Sequence, residues 1–191
     1  MALELGGTIC LGAALLGGAA VVAGALFMIY NRLVTLKNRV DNAWAQIDVQ
    51  LKKRNDLVPN LIETVKGYAK HEKGIFENVS KARSAMLGAN SVEDKAKASN
   101  MLSGALKSLF AVSENYPKLE ASKNFMMLQE ELAGIENKIA YARTAYNDSV
   151  YHYNNTQEVL PYVLISGMLG HSKKPYFETG EEEKKVPKVQ F

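Results

Sequence analysis

From Arg32 onward, apolar residues recur at steps of three and four, the spacing of one face of an α-helix. The first run reads Leu36, Val40, Ala43, Ile47 and Leu51, then Val58, Leu61, Val65, Tyr68, Ile75, Val79, Ala82 and Met86. The step from Ile47 to Leu51 breaks strict seven-residue phasing, so an ideal coiled coil is not expected throughout. Gly88-Ala89-Asn90 supplies stop chemistry, and Ser91 with an acid three residues on, Asp94, reads as the cap of a second helix. That helix runs through Met101, Leu102, Leu106, Leu109 and Val112 towards Tyr116, where Pro117 halts it. A third run, Phe125, Leu128, Leu132, Ile135, Ile139, Ala142, Tyr146, Val150, Tyr153 and Leu160, is closed by Pro161. No alternating, β-branched stretch argues for a sheet. The expectation is an all-α fold, an up-and-down antiparallel helical bundle over residues 31–160. Pro59 decides the count. If it kinks a continuous helix the bundle has three long helices, and if it starts a new one, capped by Asp56, there are four. Apolar phasing carries through Pro59, which favours the kink.

Ahead of this pattern lies a segment with none. Residues 5–30 carry no charge. As a helix they extend about 39 Å at ~1.5 Å per residue, enough to cross a hydrocarbon core roughly 30 Å thick with some tilt. A cleaved signal would want a basic start and a small-residue end. Here Glu4 is the only charge before Arg32, and the run closes on Leu26-Phe27-Met28-Ile29-Tyr30. The reading is therefore an uncleaved transmembrane helix after a short external N-terminus, residues 1–4. Arg32, Lys37 and Arg39 follow the span, and by the positive-inside rule the remainder lies in the cytoplasm. Ala14 with Gly18, and Ala20 with Gly24, are small residues four apart that could bring two such helices together.

After Pro161 the pattern lapses. Residues 161–179 open on the apolar, glycine-punctuated Tyr162–Gly170 stretch, which either folds back on the helices or meets membrane or a partner; Tyr162, Leu164, Ile165 and Leu169 are the candidate contacts. Ordinary burial preference favours folding back. Residues 180–191 read as an extended or disordered tail.

Composition adds exclusions. The chain has 23 Lys and Arg against 20 Asp and Glu, spread without a basic block, so nucleic acid is not an expected partner. Lys52-Lys53-Arg54 and Lys173-Lys174 read as solvated helix faces. Cys10, the one cysteine, sits in the apolar run, which excludes an internal disulfide. His71, His152 and His171 lack a second ligand at helical spacing, so no metal is expected. Glu130, Glu131 and Glu136 read as solvent-face acids paired with Lys123 and Lys138. No phosphate loop or catalytic triad is visible, and no cofactor or small-molecule substrate is implied. Asn55, Asn60, Asn137, Asn147, Asn154 and Asn155 on helices are less ordinary, since Asn is a poor helix former. Interhelical hydrogen bonding explains them, or else Asn147, Tyr151, Asn154 and Asn155 form a partner face.

Several longer stretches carry a resemblance. Tyr30–Val34, Arg39–Leu51, Arg54–Leu61, Glu63–Tyr68, Glu114–Pro117, Leu128–Leu132, Ala140–Asp148 and the closing Val186–Phe191 are similar to the LemA family, although an acid is commoner there where Gln190 stands. The resemblance implies a prokaryotic plasma-membrane protein with an external N-terminus and a cytoplasmic helical bundle, sometimes associated with envelope stress, and it brings no catalytic residues. The functional expectation is a non-enzymatic, membrane-anchored scaffold or adaptor that self-associates. The rivals are a membrane-surface or remodelling protein working through Tyr162–Leu169 and, last, a metal-dependent hydrolase.

Overall fold

A computed structural model of the chain describes residues 2–178, with side chains from 15 to 178. The tail of 180–191 lies outside the described residues, as do the side chains of Cys10 and Ala14. The described residues form five α-helices and no strand: α1 Ala2–Lys66, α2 Lys73–Gly88, α3 Val92–Ser113, α4 Pro117–Glu120 and α5 Lys123–Glu158, followed by a 3₁₀ turn at Tyr162–Leu164. Their contacts divide the chain into two units, Met1–Val40 with Tyr151–Lys174, and Asp41–Val150 with Pro175–Phe191.

In the first unit, every described side chain on α1 from Leu15 to Met28 is exposed. Burial begins at Ile29 and continues on one face at Leu33, Leu36 and Val40. Tyr153, Gln157 and Ser166 are the buried side chains of the unit's other segment. By length and composition, α1 from Leu15 holds a stretch able to cross a membrane.

The core of the second unit draws on α1 through α5. Val58, Leu61 and Val65 meet Phe76, Val79 and Ala82 of α2, Leu102, Leu106 and Leu109 of α3, Leu119 of α4, and Phe125 and Leu132 of α5. Ser91 caps α3 by accepting from Asp94 N–H at 3.0 Å, and its hydroxyl donates to the Asp94 carboxylate at 2.7 Å. Pro117 takes the first turn of α4, where a missing N–H costs nothing.

Pro59 neither ends α1 nor starts a helix. Chain direction changes instead at residues 67–72, where Tyr68 and Ala69 N–H both return to the Val65 carbonyl. The Tyr116 hydroxyl donates to Glu72 at 3.0 Å and fastens this connection, and the bond to the carboxylate raises the Tyr116 pKa. A proline inside a helix leaves the carbonyl four residues back without a donor. That carbonyl belongs to Asn55, and the Arg83 Nε–H of α2 donates to it at 3.3 Å. A neighbouring helix thus supplies the hydrogen bond that Pro59 cannot.

The two residues should be thermodynamically coupled. Arg83→Met is expected to cost about 1 kcal/mol in urea unfolding. In a Pro59→Ala background, where the restored backbone N–H can take over the Asn55 carbonyl, the same change should cost a few tenths of that. Equal costs in the two backgrounds would show that Arg83 does not serve the orphaned carbonyl.

Candidate functional site

The polar residues of the helices converge in two places. In the second unit, Arg54 of α1 is fully buried. Its guanidinium donates to Glu136 of α5 at 2.6 Å and to the hydroxyls of Ser103 and Ser99 of α3 at 2.8 Å, with a longer bond to the Ser99 carbonyl. Ser103 in turn donates to the other Glu136 oxygen at 2.9 Å. Two small hydroxyl residues on α3 leave the room that a guanidinium needs and supply acceptors for it. The Arg54 Nε remains buried without a partner. These facts correct the reading of Arg54 as part of a solvated basic run and of Glu136 as an acid paired with a nearby lysine. Their charges are committed to each other.

Asn147 stands in the same unit. Its amide group donates to the Phe177 carbonyl at 3.1 Å and its oxygen accepts the Phe177 N–H at 2.9 Å. The Tyr146 hydroxyl donates to the Pro175 carbonyl, and burial, aided by Glu93 and Asp41, pushes its pKa up to about 12. Phe177 lies buried against Trp44, whose ring centroid is 6.2 Å away and which also tilts against Tyr146 at 5.5 Å. The Lys95 ammonium sits 5.4 Å over the Trp44 ring and pairs with Asp48.

The first unit repeats the device. Asn154 donates to the Lys174 carbonyl at 2.9 Å and accepts the Lys174 N–H at 2.8 Å. Asn147 and Asn154 therefore use both ends of their amides on the chain's own backbone. Tyr151 and Asn155, the other members of the expected partner face, are exposed. The Tyr153 hydroxyl lies 2.9 Å from His171 Nδ1.

The stretch after α5 is buried only in part. Val159, Leu160, Val163, Leu164, Met168 and Leu169 are all exposed, Leu164 at 68% and Met168 at 87%. Tyr162 and Ile165 are half-buried, and only Ser166 is buried. On α1, Gly18, Ala20 and Gly24 lie in the exposed stretch, and a side chain added at either glycine would meet nothing within 4 Å. Among the described residues, no group of three or more His, Cys, Asp or Glu could hold a metal.

A model of the LemA family matches residues 43–191. The chain belongs to the LemA family. This LemA-family chain is similar to the magnetosome protein MamQ of Magnetospirillum gryphiswaldense, 23% identical over 178 residues that take in 80% of the chain and 65% of that protein. Magnetosome proteins MamQ 1 and MamQ 2 of Paramagnetospirillum magneticum are each 24% identical over 179 residues, with 80% of the chain and 66% of theirs covered. The LemA-family chain thus spans a little under two thirds of the length of these relatives.

Two outcomes test these clusters. Glu136→Leu strands a buried guanidinium and is expected to cost about 3 kcal/mol, the low end for a broken buried pair because Glu136 is half exposed. Adding Arg54→Met should recover most of the loss; urea unfolding of the two variants decides it. The second outcome concerns His171, whose pKa is lowered from 6.5 by burial and, secondarily, by Lys37. Folding favours the neutral ring, so its contribution is complete above about pH 6.5 and is lost as pH falls through the lowered value, because the unfolded chain takes up the proton first. Protection factors of the 166–171 amides, taken against intrinsic exchange rates at each pH, should fall on acidification, and His171→Gln should remove that dependence.

Proposed function

We propose that this chain is a single-span plasma-membrane protein of a prokaryote, N-terminus outside, whose cytoplasmic part is an up-and-down helical bundle acting as a non-enzymatic, self-associating scaffold or adaptor. One observation carries the reading. The apolar, exposed stretch of α1 and the stretch buried on one face from Ile29 to Val65 belong to a single helix. A helix built this way serves one end in lipid and the other in a protein core. Arg32, Lys37 and Arg39, all exposed just past the apolar stretch, support the inward orientation.

The polar clusters support a scaffold over a catalyst. Arg54, Glu136, Ser99 and Ser103 bind one another, and Asn147 and Asn154 hold backbone. Glu136 is half exposed, but both its oxygens are held, one by Arg54 and one by Ser103. Self-association is assigned to the lipid-facing surface of α1, where Gly18, Ala20 and Gly24, with Ala14 in the same apolar run, would let two helices approach closely.

The expected outcome is that the full-length chain stays with membranes on alkaline carbonate extraction, that a reporter fused after residue 178 is active only in the cytoplasm, and that in-cell crosslinking recovers homodimers. Gly18→Leu with Gly24→Leu should reduce the crosslinked dimer several-fold without releasing the chain from membranes. Extraction by carbonate would overturn the anchor. A strictly monomeric chain that captures no protein would overturn the scaffold.

A further inference from the structure

The most exposed apolar surface outside the N-terminal stretch of α1 is the stretch that follows α5. Residues 159–170 hold no charge, and Val159, Leu160, Val163, Leu164, Met168 and Leu169 all present apolar side chains outward. A soluble loop of this composition would bury such residues.

This stretch also pairs much of its own backbone. Val163 N–H bonds to the Val159 carbonyl, Leu164 to Pro161, and Ile165 and Ser166 both to Tyr162. Leu169 returns to Ile165, Gly170 to Gly167 and His171 to Ser166. Tyr162, Ile165 and Ser166 apart, the side chains face out, while the donors of six residues of the stretch and of His171 find carbonyls within residues 159–167. An extended apolar loop would carry every amide unpaired into hydrocarbon at a prohibitive cost, and a segment coiled on itself carries far fewer.

The stretch shares its unit with α1 up to Val40. The Lys37 charge is felt at His171, just past the stretch. Ile29 is only 6% exposed, which an isolated helix cannot achieve, and the unit's other segment is Tyr151–Lys174. Ile29 stands immediately before Tyr30 and within a helical turn of Arg32. An aromatic residue followed by a basic one marks the water interface of a span.

We propose that residues 159–170 form a second membrane contact: an apolar knob, folded on itself, that seats in the same bilayer leaflet from which α1 emerges. The occupant of this surface is lipid acyl chain. The inference rests on the anchor proposed above. Leu164 and Met168 lie deepest, and His171 with Lys173 and Lys174 stays at the headgroups.

The test uses the full-length chain in vesicles of phosphatidylcholine and phosphatidylglycerol, in a Cys10→Ser background. Nitroxide labels go on single cysteines in Leu164→Cys and Met168→Cys, with Val22→Cys as the lipid reference and Glu130→Cys as the aqueous one. All four positions are exposed, so the substitutions disturb no core. Collision with dissolved oxygen should rise, and collision with a water-soluble nickel chelate should fall several-fold, at 164 and 168 relative to 130, towards the values at 22. Lipid values at 22 with aqueous values at 164 and 168 would overturn the knob and spare the anchor. Aqueous values at 22 as well would overturn both. Shielding at 164 and 168 with dipolar broadening that disappears on dilution by unlabelled chain would overturn the lipid assignment and give the surface to a second copy.

Discussion

One buried guanidinium holds three helices in register. Arg54 arrives from α1, its counter-ion Glu136 from α5 and its hydroxyl acceptors from α3, and each is positioned by a helix that would be free to slide along an all-apolar seam. Hydrophobic contact is non-directional, whereas a forked donor accepts a narrow set of partners at a narrow set of distances. Sliding α5 by a turn would leave the charge in the core without its counter-ion, at a cost of about 3 kcal/mol, a large share of the stability of a small domain. The apolar face from Ala43 to Val65 provides the bulk of the adhesion, and Arg54 selects which of its packings is allowed.

Backbone hydrogen bonding governs the rest. At Pro59 the helix survives because Arg83 serves the Asn55 carbonyl. Between Ser172 and Glu178 the chain has no helix or strand of its own, and its amides need partners from elsewhere. Asn147 and Asn154 supply them, each presenting a donor and an acceptor as a neighbouring strand would. The phenyl group of Phe177 then fills a space beside Trp44. Asn147 and Asn154, poor helix formers both, stand where their side chains supply hydrogen bonds that this backbone cannot supply for itself.

Much of this is legible in the residue pattern. The helical class, the Ser91 cap, the stop before Pro117 and the end of α5 near Pro161 all follow from local chemistry, because each depends on residues a few positions apart. The departures share a cause, which is distance along the chain. Arg54 sits between Leu51 and Val58, with no apolar residue at the core position between them, a gap that betrays a polar residue facing inward. Its adjacency to Lys52 and Lys53 masks that signal. Asn147 and Asn154 resemble an open face because their partners lie 30 and 20 residues away in a stretch without periodicity. The connection at 67–72 is hard to see in the pattern because Val65 and Tyr68 stay in phase with what precedes them, while Pro59 is the more conspicuous helix breaker.

The separation of Arg54 from Glu136 also sets a timetable. The pair is 82 residues apart. At synthesis rates of roughly 5–20 residues per second, the ribosome needs about 4–16 seconds to make the acid after the base. During that interval α2 and α3 can already cover Val58, Leu61 and Val65, while Arg54 waits for its counter-ion on α5. The nascent chain must pass this interval with a cation in its core that only hydroxyl groups of α3 can serve, so the last helix made is the one that neutralises the first.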